Sequence, residues 1–319
     1  MTENLIRTGP LRRWSTRKRR QALTGYLCVS PWIIGFLAFT AGPMVASIYY
    51  GFTKWGILDT PKWIGLGNYR QAFFEDELFW QSLKVTALYS FGSIPLSLAF
   101  GLLLAILLNQ KVKLLGLFRT VYYLPSVLSG VAVSMMWIWI FNYRFGILNF
   151  LLKGIGIKGP PWLADPDWVL PAFIIMSLWG VGGGMLIYLA GLQGIPTELY
   201  EAANIDGANV WQKFFKVTLP LLTPVLLFNL IMGIIGSFQV FTPAYIMTGG
   251  GPANATLFYV LYLYRNAFIY SFGTYGMGYA CALAWILFIV ILVLSLFTLR
   301  SSPAWVHYEG IKTGKESRW

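Results

Sequence analysis

The sequence predicts an all-α integral membrane protein with six transmembrane helices, both termini cytoplasmic, and a short cytoplasmic helix between spans four and five. Three observations point there. The 319-residue chain is 57% hydrophobic and only 11% charged, against roughly 25% charged residues in a soluble domain. Uncharged windows run over 21–53, 85–110, 120–143, 168–197, 217–264 and 266–299, each longer than the roughly 20 apolar residues a spanning helix needs. Lipid gives a backbone N–H or C=O no partner, so such windows must be helical. Finally, with the N-terminus inside, 16 of the 24 Lys and Arg residues fall on the inner side and 8 on the outer, as the positive-inside rule requires.

The elements follow in order. Residues 1–22 form a basic cytoplasmic segment, whose run RRWSTRKRR at 12–20 suits a juxtamembrane anchor on anionic lipid. The net charge of +12 then reflects topology and needs no nucleic-acid partner. Span one, at about 23–52, is longer than a signal-peptide core and lacks a small-residue cleavage site, so it is expected to be retained. Spans two, three and four are expected at about 83–109, 119–142 and 168–193. The fifth window is too long for one helix. Its stretch TGGGPANAT at 248–256 favours a loop, which places span five at about 220–247. Residues 257–270 carry Arg265 in their middle. They read as an interfacial segment, because a central Arg costs about 2.5–3.5 kcal/mol on insertion scales; a seventh span is the competing reading. Span six is expected at about 276–299, and a polar cytoplasmic tail at 300–319. The permeating domain is thus 23–299, with a connecting loop at 194–219.

Several functions are excluded. The one histidine, His307, lies in the tail, which removes His-based metal clusters and His-assisted nucleophiles. Cys28 and Cys281 lie in separate apolar windows and suggest neither a disulfide framework nor a metal site. No acid lies within an expected span, which argues against a proton- or sodium-driven carrier and against a membrane-embedded enzyme. GIGIKG at 154–159 fits a dinucleotide pattern by letter, but Pro160 and Pro161 follow it rather than a helix. TGGGP lacks the Lys-Ser/Thr of a phosphate loop. The chain therefore has no visible cofactor or ATP site of its own.

The informative interruption is 200–220, YEAANIDGANVWQKFFKVTLP, between spans four and five. Thr197 is a candidate N-cap, and Glu198 and Glu201 fall in the first turns, where the helix dipole favours acids. Gly207 suits the left-handed residue that ends a helix. Asn209 and Gln212 stand at capping-box spacing for a second helix. On local physics this is an ordinary helix pair on the inner membrane surface. Ala202, Ala203 and Ala208 are small enough to let a partner's groove approach, with Glu201 and Asp206 as polar fixing points.

The run EAANIDGANVWQKFFKVTLPLL resembles the signature loop of bacterial importer permeases of the ATP-binding-cassette (ABC) class. Glu201, Ala202, Ala203, Asp206, Gly207, Leu219 and Pro220 occupy its pattern. MTGGGPANATLFYVLYLYRNAF at 247–268 and GLGNYRQAF at 65–73 are similar to segments of the maltose-type sugar permeases. The resemblance implies a bacterial plasma-membrane (inner-membrane) protein and a set of partners. These are a second, homologous permease subunit, two cytoplasmic ATPase subunits that hold ATP and magnesium, and an extracytoplasmic solute-binding protein. It makes the 201–208 insert a coupling helix seated in an ATPase groove, and the substrate a sugar or oligosaccharide.

A sugar path wants hydroxyl and amide side chains beside aromatic rings. By the resemblance, span five offers Ser237, Phe238 and Gln239, and span four offers Ser177, Trp179, Gly180 and Gly183. Other readings stay open. Gln239 and Asn229 suit interhelical hydrogen bonds, and Gly180 with Gly184 suits small-residue helix packing. Trp55, Trp63, Trp162 and Trp168 suit the interfacial belt. The substrate alternatives are a polyol or a glycerol phosphate ester; an anionic ester would want basic residues along the path, and none lies within the spans.

Overall fold

The computed structural model describes residues 16–56, 58–110, 113–270 and 276–307. Most of the basic segment 1–22, Lys111 and the tail beyond His307 lie outside the described residues. Among the described residues, four helices are each long and apolar enough to cross a membrane: Arg20–Gly51, Glu77–Leu108, Val210–Phe238 and Met277–Ala304. Two further pairs pass the same test together but are bent at a break. Leu115–Val127 meets Gly130–Ile140 at 101°, and Pro166–Trp179 meets Gly182–Gln193 at 46°. The described residues thus hold four continuous candidate spans, and up to six if each bent pair is one crossing.

Local chemistry explains where helices start, bend and stop. The long helix Glu77–Leu108 begins before residue 83 because Asp76 caps it: its Oδ1 accepts from the N–H of Leu78 at 3.0 Å and of Phe79 at 3.2 Å. The fifth candidate span begins ten residues before Pro220, at Val210. A π-turn at Phe214–Thr218 precedes that proline, widening the coil where the ring would press on the carbonyl of residue 216. The same device, Leu37–Ala41, precedes Pro43 in the first helix. At its other end the fifth helix stops at Phe238 rather than near 247. Pro243 has no N–H to give the Gln239 carbonyl and its ring would press on it, and the chain coils again only from Thr242, over 242–248. The break in the third pair lies at Leu128 and Ser129, which are extended. The break in the fourth lies at Gly180 and Val181. There Gly182 packs so closely on the third pair that an added Cβ would stand 2.3 Å from the Tyr122 carbonyl oxygen.

Residues 257–270 do not form a seventh span. They coil as Tyr259–Tyr264 and Arg265–Ile269, about 16 Å at 1.5 Å per residue, too short for a hydrocarbon core of about 30 Å. Arg265 sends a guanidinium N–H to the Gly249 carbonyl, within a loop whose Gly249, Gly250, Ala253 and Asn254 all have positive φ.

At the same end of the molecule Asp76, only 5% exposed, also accepts hydrogen bonds from the Tyr262 and Tyr279 hydroxyls. One carboxylate thereby ties together the second span, the 259–269 coil and the sixth span. Beside it, a small antiparallel ladder pairs Thr53 with Trp63, and the Asn68 amide donates to the Gly51 and Thr53 carbonyls at 2.9 Å each. The main core joins these elements with Pro166–Trp179, through Phe79, Phe173, Leu257, Phe258, Tyr259 and Leu283. A second core packs Leu104, Ala105 and Leu108 on Met185, Tyr188, Leu189 and Leu222. The first helix stands apart. None of its most apolar window is buried, and it meets the body near its end, where Trp285 Nε1 donates to Ser47 Oγ at 3.1 Å.

Candidate functional site

Two features share the same helices: a polar cavity among the apolar spans and the turn at 197–213. The cavity has a volume of about 440 Å³ and lies among the second span, the bent fourth pair and the fifth span. Its polar lining is Tyr89, Ser93 and Ser97 from the second, Ser177 and Tyr188 from the fourth, and Asn229 and Ser237 from the fifth. Gly180, Gly184, Gly233 and Gly236 keep it open, and among the described residues no charged side chain lines it. The fold builds it because glycines at the 180–184 break leave no side chains at the bend, while hydroxyls project from the neighbouring helices. Tyr89 from the second span and Ser177 from the fourth line the cavity together.

Of the path residues expected from the sequence, Ser177, Gly180 and Ser237 line this cavity together. Trp179 instead packs edge-on against Trp137 at 6.2 Å. Gly183 lies beside the cavity without lining it, where Gly184 does. Phe238 is buried in the main core, and Gln239 is exposed at the end of the fifth helix. Sequence reasoning missed the second span. Tyr89, Ser93 and Ser97 recur at four-residue steps, which puts them on one helix face, and that periodicity was the available signal.

The turn at 197–213 is built from backbone chemistry. A helix at Thr197–Ile205 has Pro196 rather than Thr197 in the capping position. It ends with Gly207 at φ +74°. The Gly207 N–H donates to the Asn204 carbonyl at 3.1 Å, and the Ala208 N–H to the Ala203 carbonyl at 2.9 Å. These are the two bonds of a Schellman C-cap. Ala203 and Ala208 are therefore the two ends of the turn's own closing bond, and both are half-buried. Asn209 and Gln212 then form a full capping box, at 2.9 and 2.7 Å. Tyr200 reaches Thr218 at 2.9 Å, fastening the turn to the base of the fifth span. Glu201, Ala202 and Asp206 are exposed. So are three apolar side chains that composition alone did not single out: Ile205 (87%), Val210 (77%) and Trp211 (72%).

Residues 97–303, which hold the turn and most of the cavity lining, match the model of the "Binding-protein-dependent transport system inner membrane component" family. The chain belongs to this family of ABC permeases. It is 46% identical over 295 residues to the probable ABC transporter permease YesP of Bacillus subtilis, covering 91% of this chain and 94% of that protein. It is 34% identical over 289 residues to the trehalose/maltose permease MalF of Thermococcus litoralis, covering 90% and 96%. With the lactose permease LacF of Rhizobium radiobacter it shares 37% over 288 residues, 88% and 94%. Among solved structures, a permease chain of a bacterial ABC importer of alginate superposes with a TM-score of 0.78 at 26% identity, covering 90% of this permease and 98% of that chain. The permease fold is thus matched along nearly its whole length.

Proposed function

We propose that this permease is one membrane-spanning half of an ATP-driven, binding-protein-dependent importer for a sugar or oligosaccharide. In this reading each bent pair is one crossing, giving six spans with both termini cytoplasmic. The second half is a homologous permease. Two ATPase subunits, with their ATP and magnesium, dock beneath, one of them on the 197–213 turn. An extracytoplasmic solute-binding protein delivers substrate to the opposite face, where residues 143–159 form an open basin of about 810 Å³ with Arg144, Lys153 and Lys158.

The observation that carries this reading is the turn itself. Its closing glycine, its capping box and its bond to Thr218 make it rigid, and it presents Ile205, Val210 and Trp211 to whatever lies below. Desolvated apolar anchors of this kind dominate protein interfaces. Rigidity matters because only residues 194–196 separate the turn from the Gly182–Gln193 helix. A movement imposed on the turn therefore passes into the helix that walls the cavity, and rigid-body motion of such elements gives alternating access. The uncharged, hydroxyl-lined cavity fits a sugar or polyol better than a glycerol phosphate ester. Relatives named for trehalose/maltose, lactose and arabinooligosaccharide transport support the carbohydrate class.

The test is co-purification and uptake. The tagged permease should bring down one ATPase species and one further permease. An Ala202→Cys variant should crosslink to that ATPase. Proteoliposomes of the complete transporter with its binding protein should accumulate at least one of radiolabelled maltose, trehalose and lactose in an ATP-dependent way. Copurification without either partner, or uptake that ignores ATP, overturns the reading.

A further inference from the structure

The cavity divides into two halves of different hydrogen-bonding character. Tyr89, Ser177 and Ser237 occupy the half toward Asp76. There Ser177 Oγ donates to the Ile174 carbonyl at 2.7 Å and Ser237 Oγ to the Ile234 carbonyl at 3.1 Å. Ser97, Tyr188 and Asn229 occupy the half toward the 197–213 turn. Ser97 lies eight residues beyond Tyr89, and Asn229 eight before Ser237, about 12 Å along a helix axis in each case. In this second half two polar atoms are not spent. The Tyr188 hydroxyl is buried without a hydrogen-bond partner among the described residues, although the residue is 1% exposed. Asn229 gives its Nδ2 to the Val225 carbonyl at 3.1 Å, while its Oδ1 accepts no bond among the described residues. Gly184 makes room for that oxygen, since an added Cβ there would stand 3.1 Å away.

A buried hydroxyl without a partner is costly, and natural cores keep such groups rarely. We propose that Tyr188, Asn229 and Ser97 form an inner release subsite for a vicinal diol of the sugar, distinct from the outer Ser177–Ser237 half. This inference rests on the importer reading above. The chemistry is complementary: the tyrosine O–H donates to one sugar oxygen and the amide Oδ1 accepts from the neighbouring sugar hydroxyl. The Tyr188 hydroxyl is closed off from solvent here, and its helix is the one joined through 194–196 to the turn. The subsite therefore forms as that helix shifts and the path opens on the side of the turn. It draws sugar inward and does not set initial capture.

The experiment uses the complete transporter in proteoliposomes, with radiolabelled maltose, trehalose and lactose as probes, and variants Tyr188→Phe, Asn229→Leu and Ser237→Ala. For each sugar the wild type accumulates, Tyr188→Phe and Asn229→Leu should each lower the maximal uptake rate about fivefold, the worth of one hydrogen bond. The apparent KM should stay unchanged. Thermal unfolding of the purified transporter supplies the second readout: Tyr188→Phe should leave Tm unchanged or raise it, because it removes an unpaired group. A lowered Tm in Tyr188→Phe, or wild-type uptake rates in both inner variants, overturns the subsite. A wild type that accumulates none of the three sugars overturns the importer reading instead, and the Tm of Tyr188→Phe still judges whether its hydroxyl is structural.

Discussion

Replacing Gly207 by asparagine, alanine and valine separates backbone strain from side-chain bulk at the 197–213 turn. Gly207 has φ +74°, and nothing lies within 4 Å of an added Cβ. No variant therefore meets a clash within the chain, and the cost is conformational. An L-residue in the left-handed region costs about 1–2 kcal/mol, less for asparagine and more for a β-branched side chain. The two bonds that depend on that conformation are Gly207 to Asn204 at 3.1 Å and Ala208 to Ala203 at 2.9 Å. A cost of about 1.4 kcal/mol raises the open population tenfold. Hydrogen exchange at the Ala208 amide should thus quicken about tenfold in Gly207→Ala, less in Gly207→Asn and more in Gly207→Val. Transport per ATP hydrolysed should fall in the same order, because a loosened turn transmits less of the imposed movement. If valine exchanges and transports like asparagine, the left-handed backbone is not what makes the turn work.

Three other outcomes follow from the geometry. Asp76→Ala removes the cap of the Leu78 and Phe79 N–H groups and an acceptor shared by the Tyr262 and Tyr279 hydroxyls, and should lower stability by about 3 kcal/mol or more; thermal unfolding in detergent measures it, with Asp76→Asn milder. Gly182→Ala forces a Cβ to 2.3 Å from the Tyr122 carbonyl oxygen and 2.9 Å from Tyr123 Cα, both backbone atoms, and should sharply reduce the yield of folded protein in the membrane. Trp211→Ala removes a side chain that is 72% exposed, so Tm should hold while co-purification of the ATPase weakens.

Much of this was legible in the sequence, for physical reasons. Long uncharged windows leave helix as the only spanning structure, and the Asn209–Gln212 box and Gly207 declare themselves by residue type and spacing. What escaped was set by tertiary contact. The break in the fourth pair lies among glycines whose role appears only where Gly182 meets Tyr122. Pro220 looked like the start of the fifth span, but a π-turn absorbs it and the helix begins at Val210. The alanines at 203 and 208 read as a surface for a partner, and their backbone bond also closes the turn, which residue type alone did not show. The path residues divided in the same way: Ser177, Gly180 and Ser237 meet at the cavity, but the face of the second span opposite them could be found only by its four-residue repeat.

The first helix offers an experimental handle. Arg20–Gly51 is about 48 Å long at 1.5 Å per residue and is held to the body near one end. Cys28 sits toward its far end and is exposed, while Cys281, half-buried, lies in the sixth span near the anchored end. Spin labels on these native thiols would make a ruler along a cantilever, and their separation would report how far it swings through a transport cycle without any engineered substitution.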